Sequence, residues 1–158
     1  MARFEDWSEQ RAGELIARHA QQEGAALPIL HALQETFGYI HRDAVRMLAS
    51  ALNLSRAELH GLVTFYHDFR SAPPGGHVLK LCRAEACQSM GADALAAQAR
   101  EKLRVDWRGT TVDKRVTLEP VFCLGLCACA PAAMLDGQVF GRLNPKRLDA
   151  LIERTNRT

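Results

Sequence analysis

The placement of cysteine limits the possible folds of this chain more than any other feature. Its five cysteines fall in two short stretches, "CRAEAC" at residues 82–87 and "CLGLCACAP" at residues 123–131. Each stretch overlaps the end of a run with the pattern of a β-strand, "HVLKLC" and "RVTLEPVFC" respectively. Neighbouring strands bring the loops that follow them to the same end of a sheet. The sequence therefore predicts that sulfur atoms from both stretches converge.

The spacing within each stretch indicates which sulfurs share a site. Cys82 and Cys87 are spaced C-x4-C. Cys123 and Cys127 are spaced C-x3-C, which leaves Cys129 as a surplus sulfur. Tetrahedral thiolate coordination is the geometry of iron–sulfur centres and of zinc. The surplus cysteine is interpreted as a small buried apolar residue.

The residues around the cysteines favour an iron–sulfur cluster. Gly125 permits a positive φ and a close approach of the backbone to inorganic sulfide. Several alanines in the two stretches leave room around that sulfide. Backbone N–H groups in such loops offset the negative charge of a cluster, and Arg83 is expected to add positive charge nearby.

Other interpretations of the cysteines stay open on spacing alone. Structural zinc sites have ~2–4 residues between paired ligands, so these spacings lie at the edge of that range. A zinc-stabilised interaction module is therefore an alternative of a different class. A thioredoxin-type dithiol requires C-x-x-C, which the chain lacks, although Cys127 and Cys129 would form a strained pair. Disulfides are the weakest interpretation, because the number of cysteines is odd.

The pattern of the chain changes at "SAPPGG", residues 71–76. Before this linker, four short amphipathic segments predict an N-terminal helical bundle over residues 1–74. The first segment is expected to end at Gly24. The last opens with the capping box "SRAE" at residues 55–58, and its apolar face is expected to continue as far as Phe69.

After the linker, strand and helix patterns alternate. The turn pair Asp136–Gly137 between two short strand-like runs predicts a β-hairpin. Asn144 and Pro145 then predict the start of a final helix. The sequence therefore predicts a small α/β domain over residues 75–158.

Composition excludes several classes of function. The net charge is only +2 and the hydrophobic fraction is 47%, so the chain is expected to be globular and to bind no nucleic acid. No apolar run approaches the ~20 residues that cross a bilayer, so no membrane insertion is expected. The opening "MARFEDWSEQ" has acidic residues where a secretory signal has basic and then apolar ones. A cytoplasmic location is therefore expected.

The cysteine motifs resemble those of a known family. "LCRAEAC" and "VFCLGLCACAP" are similar to the C-x4-C and C-L-G-x-C-x-x-A-P pattern of the complex I 24-kDa subunit family, and "LPILHALQETFGYI" resembles its helical region. The resemblance implies an α/β protein in which an N-terminal helical bundle precedes a thioredoxin-like 2Fe–2S ferredoxin domain. It also implies that one 2Fe–2S cluster is held by Cys82, Cys87, Cys123 and Cys127.

The same resemblance implies where the chain works. The family serves respiratory complex I, NAD-linked hydrogenases and NAD-dependent molybdenum formate dehydrogenases. "CLGLCACAP" is most similar to the gamma subunit of soluble NAD-dependent formate dehydrogenase, and Phe122 stands where complex I members commonly carry Glu. The expected function is therefore electron transfer within such a formate dehydrogenase. The equivalent subunit of complex I or of an NAD-linked hydrogenase is the alternative.

The remaining chemistry is expected on partner subunits. The chain has no nucleotide-binding glycine motif and no paired acid and base, so no catalytic residue is assigned. FMN and NAD are expected on a partner that carries further iron–sulfur clusters. A molybdenum-containing formate dehydrogenase alpha subunit is expected as a second partner. Arg83, Gln88 and Ser89 are expected to face the flavin partner, since a short separation favours electron transfer.

Overall fold

Residues 4–156 of the chain are described in the computed structural model. Contacts divide the chain into two units, Met1–Pro73 and Pro74–Thr158. Each unit has a hydrophobic core of its own. The assignment of residues 1–74 and 75–158 to separate folding domains stays a prediction.

The described part of the first unit forms helices, as its periodicity predicts. The helices are α1 (Glu9–His19), α2 (Ala26–Phe37), α3 (Arg42–Leu52) and α4 (Arg56–Phe65). Side chains cap the free N–H groups at several helix starts: Ser8 caps α1, and Ser55 forms the predicted capping box of α4 with Glu58. The apolar faces meet in one core, whose fully buried members are Ala12, Ile29, Leu30, Leu33, Leu48 and Leu59.

Two helix ends differ from the sequence-based expectation. Helix α1 ends at His19 and not at Gly24. Helix α4 ends at Phe65, where Tyr66 turns to an extended conformation, because consecutive aromatic residues are weaker helix formers. Phe69 is nevertheless 9% exposed and packs in the core, whereas Tyr66 is 41% exposed. The apolar periodicity therefore extends past the end of α4 at Phe65, so it predicted a helix that is too long.

The second unit is an α/β fold. Its strands are β1 (His77–Cys82), β2 (Val116–Val121), β3 (Ala133–Leu135) and β4 (Gln138–Phe140), and its helices are α5 (Glu85–Ser89), α6 (Ala92–Leu103) and α7 (Pro145–Arg154). The strands form one sheet in the order β2-β1-β3-β4. Strands β1 and β2 are parallel, and the other neighbours are antiparallel. The predicted hairpin and the predicted Asn144 cap are confirmed.

The core of the second unit lies between the sheet and its two longer helices. Leu79 and Leu118 from the sheet pack with Leu95 of α6 and Leu148 of α7. Burial of such side chains stabilises the fold by about 1.5–3 kcal/mol each. None of the helices formed by the described residues has the length and apolar content that a membrane crossing requires.

Candidate metal centre

The parallel pairing of β1 and β2 brings the two cysteine loops together. Cys82 ends β1 opposite Val121, which ends β2 two positions before Cys123. The N–H of Arg83 donates to the Val121 carbonyl at 2.8 Å, and the N–H of Cys82 donates to the Ala132 carbonyl at 3.0 Å. The predicted convergence of two loops at one end of the sheet is therefore confirmed.

The sulfur atoms in these loops form two pairs. The Sγ atoms of Cys123 and Cys127 lie 3.7 Å apart. The thiols of Cys82 and Cys87 hydrogen-bond to each other, and Cys127 interacts electrostatically with both of them. Within residues 4–156, no group of three or more His, Cys, Asp or Glu side chains could hold a single metal ion. The observed arrangement is two sulfur pairs that lie near each other.

Hydrogen-bond donors surround the sulfur of Cys82. Burial works to raise the pKa of Cys82, but the N–H groups of Ala84, Cys123 and Leu124 and the Cys87 thiol all donate to its sulfur. Together these donors outweigh burial and hold the pKa of Cys82 below the value of an ordinary thiol. The backbone of both loops is therefore arranged to stabilise an anionic sulfur.

Cys87 and Cys127 each have a pKa above that of an ordinary thiol. Burial, followed by the hydrogen bond to Cys82, raises the pKa of Cys87, and the N–H of Ala132 only partly opposes this. The hydrogen bond to Cys123 raises the pKa of Cys127. Binding of iron would replace the protons on these two thiols, since thiolate is the form that ligates metals.

The second loop adopts an unusual backbone conformation at the site. Cys123 has a φ of 104°, which costs a residue with a side chain about 1–3 kcal/mol. Gly125 has a φ of 74°, and its N–H donates to the Cys123 sulfur at 3.3 Å. The positive φ expected at Gly125 is therefore observed. The conformation of Cys123 was not predicted, because cysteine carries no preference for positive φ.

The two sulfur pairs differ in exposure. Cys82 and Cys87 are each 2% exposed, and they pack against Ala92 and Ala132. Cys123 and Cys127 are exposed to solvent. The site therefore has a buried side on the first loop and an open side on the second.

Cys129 is held through its backbone. Its carbonyl accepts the N–H of Arg142. A Cβ atom at Gly141 would lie only 2.8 Å from the Cys129 Cβ, so the two segments are in close contact. Cys129 was expected to be buried, but it is partly exposed. It closes the 3-10 turn Cys127–Cys129, which fixes the position of the ligand candidate Cys127.

Arg83 makes contacts within its own chain. Its guanidinium pairs with Asp93 at 2.9 Å and lies 5.3 Å from the centre of the Trp107 ring. Its carbonyl accepts the side-chain N–H of Gln88 at 2.6 Å, and the Ser89 hydroxyl donates to a neighbouring carbonyl. These residues were expected to face a partner, which stays a prediction. The structure shows that some of their polar groups already have partners within the chain.

Residues 12–156 match the family described as thioredoxin-like [2Fe-2S] ferredoxin. The chain belongs to this family. One 2Fe–2S cluster is accordingly its cofactor, and clusters of this type are held by four protein ligands, most often cysteine thiolates.

Relatives of the chain are components of redox complexes. It is 30% identical over 139 residues to the HndA subunit of the NADP-reducing hydrogenase of Solidesulfovibrio fructosivorans, covering 88% of this chain and 81% of that protein. It is 32% identical over 142 residues to the E subunit of NADH-quinone oxidoreductase from Mycobacterium tuberculosis (strain ATCC 25618 / H37Rv), covering 90% of this chain but 56% of that protein. It is 30% identical over 148 residues to the corresponding protein of Escherichia coli (strain K12), covering 93% of this chain and 89% of that protein.

A solved structure supports the same fold. The NAD+-reducing [NiFe]-hydrogenase in the H2-reduced state aligns with a TM-score of 0.72 and 27% sequence identity. The alignment covers 83% of this chain and 22% of the hydrogenase chain. This chain therefore corresponds to about a fifth of that larger protein.

Proposed function

We propose that this chain is the electron-transfer subunit of an NAD-linked oxidoreductase complex. The proposal rests on one observation: two pairs of cysteines lie at the same end of the parallel strands β1 and β2. Backbone N–H groups donate to the sulfur of Cys82 in the first pair. A 2Fe–2S cluster held there would accept and release single electrons. The protein binds it, offsets its charge and excludes water on the buried side.

The ligands of the cluster follow from the pairing. We assign Cys82 and Cys87 to one iron and Cys123 and Cys127 to the other. The hydrogen bond between the first two thiols and the 3.7 Å separation of the second two support this division. Cys129 lies on the turn that positions Cys127 and is assigned no iron.

A flavoprotein is the proposed partner. NAD exchanges a hydride, which carries an electron pair, whereas a 2Fe–2S cluster takes one electron. A flavin is needed between them to separate the pair. We therefore place FMN and NAD on another subunit, which also carries further iron–sulfur clusters, and we assign the isolated chain no catalysis.

More specifically, we propose that the complex is a soluble, cytoplasmic NAD-dependent formate dehydrogenase with a molybdenum-containing alpha subunit. The motif "CLGLCACAP" and Phe122 before it support this choice. The similarity to a hydrogenase component and to a component of NADH-quinone oxidoreductase favours the alternatives equally. Purification of the native complex distinguishes them, since formate, hydrogen and quinone are different substrates to assay with NAD or NADH. Molybdenum and formate oxidation would support the finer proposal.

Spectroscopy tests the electron-transfer assignment itself. The purified chain should contain about two irons and show the EPR signal of a spin-coupled 2Fe–2S centre after reduction. A zinc-stabilised module would be colourless and silent in EPR. Stoichiometric zinc without iron in anaerobic preparations would contradict the proposal.

A further inference from the structure

One cationic side chain lies in the two segments that contain the cysteines. Residues 82–89 include Arg83 and Glu85 as their only Asp, Glu, Lys, Arg or His, and residues 121–131 include none. Arg83 directly follows Cys82, so their Cα atoms are about 3.8 Å apart. Glu85 is exposed, and solvent therefore screens its charge. The charge of Arg83 is the one that this part of the chain holds beside the first sulfur pair.

The guanidinium of Arg83 is held from two sides. It pairs with Asp93 in the first turn of α6 at 2.9 Å, and it lies 5.3 Å from the centre of the Trp107 ring. Its Nε is buried and has no hydrogen-bond partner among residues 4–156. The Arg83 carbonyl accepts the side-chain N–H of Gln88 at 2.6 Å. Both the backbone and the charge of Arg83 thus have a fixed position.

The two members of this ion pair differ in exposure. The side chain of Arg83 is 27% exposed, whereas that of Asp93 is 62% exposed. Water and salt screen an exposed charge more than a partly buried one. The carboxylate therefore offsets only part of the field of the guanidinium, and the pair acts on its surroundings as a net positive charge.

We infer that Arg83 raises the reduction potential of the 2Fe–2S cluster, and that Asp93 and Trp107 are the residues that position its charge. This inference rests on the proposed function. Reduction transfers one electron from the redox partner to the cluster and adds one unit of negative charge. A fixed cation stabilises the reduced form more than the oxidised form, since the potential of such a cluster depends on the charge around it. Asp93 opposes this effect and limits its size.

Coulomb's law sets the scale of the effect. At an effective dielectric constant of about 20, a unit charge at about 12 Å changes a one-electron equilibrium about tenfold. Partial exposure of Arg83 reduces this figure. Loss of the charge is therefore expected to lower the equilibrium constant for reduction about three- to tenfold. A tenfold change corresponds to about 59 mV for one electron.

The test is a redox titration of the complete chain with its cluster bound. Dithionite and mediator dyes set the potential, and the EPR signal of the reduced cluster measures the fraction reduced. Arg83→Gln should lower the equilibrium constant for reduction about three- to tenfold. Arg83→Lys keeps the charge and should stay within about twofold of wild type. Asp93→Asn should raise the constant, because the guanidinium is then unopposed.

Trp107→Leu tests the positioning role. It should lower the constant part of the way toward Arg83→Gln, because water then screens the guanidinium, and it should have no further effect when combined with Arg83→Gln. Arg115→Gln is the matched control. Arg115 pairs with Asp113, and its Nε is likewise buried without a hydrogen-bond partner among residues 4–156. It precedes β2, a strand of six residues and so about 20 Å long, whereas Cys123 follows the other end. Arg115→Gln should change the constant by less than about 1.5-fold, since salt screens charge over that distance.

The outcomes separate the inference from the proposed function. Iron content and absorbance should equal wild type in every variant, which shows that the site is intact. Shifts of Arg83→Gln and Asp93→Asn in the same direction, or equal shifts of Arg83→Gln and Arg115→Gln, would overturn the inference and leave the electron-transfer role standing. Additive effects of Trp107→Leu and Arg83→Gln would overturn the positioning role. If Arg83→Gln loses its cluster, an Asp93→Asn variant whose constant does not rise overturns the inference. A wild-type chain that holds no 2Fe–2S cluster would overturn both.

Discussion

At the scale of single residues, the cysteines of this site have different surroundings. Cys82 is buried and receives several N–H bonds, whereas Cys127 is exposed and hydrogen-bonds to Cys123. Cys129 contributes its backbone to the turn beside them. The sulfurs therefore are not interchangeable, although they lie close together in the sequence.

Replacement of single cysteines tests the ligand assignment. Changing any of the four proposed ligands to Ala should abolish or greatly lower cluster content, because one iron would lose an anionic ligand. The four variants are Cys82→Ala, Cys87→Ala, Cys123→Ala and Cys127→Ala. Cys129→Ala is the matched control and should retain the cluster. Iron and acid-labile sulfide analysis measures the content. Retention in Cys127→Ala together with loss in Cys129→Ala would contradict the assignment.

Gly141 permits the close packing of the Cys129 turn. In Gly141→Ala the new Cβ would lie 2.8 Å from the Cys129 Cβ and 2.9 Å from its carbonyl oxygen, so the turn must move. We expect a loss of about 1–3 kcal/mol of unfolding free energy and lower cluster content. Gly61→Ala is the control, because Gly61 lies in α4 and a new Cβ there would have no atom within 4 Å. This variant should gain up to about 1 kcal/mol of unfolding free energy, since Ala is the better helix former. Denaturant unfolding measures both changes.

The sequence predicts the ligand candidates of the site but not its local electrostatics. Strand patterns before each cysteine stretch and the spacing of the sulfurs are local signals, and they suffice to predict convergence. The contacts of Arg83 with Asp93 and Trp107 depend on how α6 and the following loop pack. The same is true of the exposure of Phe122. Such contacts have no periodicity that a sequence displays.

At the scale of elements, the interiors of helices and strands were predictable and several ends were not. The capping box of α4 and the Asn144 cap of α7 have side-chain signatures, and both are observed. The short helix α5, which contains Cys87, was not predicted. A helix of five residues is fixed by the loop around it and has too few positions to show a period.

An ion pair joins α6 to α7 and gives the fold an acid-sensitive contact. Asp149 accepts hydrogen bonds from Lys102 at 2.9 Å and from Gln98 at 3.0 Å. The bond from Lys102 is the main cause that lowers the pKa of Asp149. A carboxyl whose pKa is lower in the folded state stabilises the fold above its unfolded pKa, about 3.9, and loses that effect as pH falls through the folded pKa.

Asp149→Asn tests this contact. The difference in unfolding free energy between wild type and variant should be constant above about pH 5 and should shrink below about pH 4. The difference is small because both side chains are partly exposed. Unfolding of cluster-free protein as a function of pH measures it, so that acid loss of the cluster does not contribute. A difference that grows as the pH falls would contradict the pKa direction.

At the scale of the whole molecule, the chain consists of two units whose cores share no residue. The buried residues of the helical unit lie between Ala12 and Phe69. Those of the α/β unit and of the cysteine site lie between Leu79 and Ile152. The linker of residues 71–76 contains prolines and glycines, which end the helical pattern.

Truncation tests whether the second unit is a domain. A chain of residues 74–158 should fold and bind a 2Fe–2S cluster, because every residue of its core and every proposed ligand lies within it. Circular dichroism and the EPR signal of the reduced protein would show this, with the full chain as the control. An unfolded or cluster-free fragment would contradict the domain boundary.

The difference in exposure between the sulfur pairs also affects how long the cluster survives in air. Cys82 and Cys87 are sheltered within the fold, whereas Cys123 and Cys127 face solvent. Oxidants and chelators therefore reach the centre from the second loop. A partner that covers this loop closes that route while it shortens the path for electrons. Assembly then protects the cluster from oxygen, and the unassembled chain is the form that most needs repair.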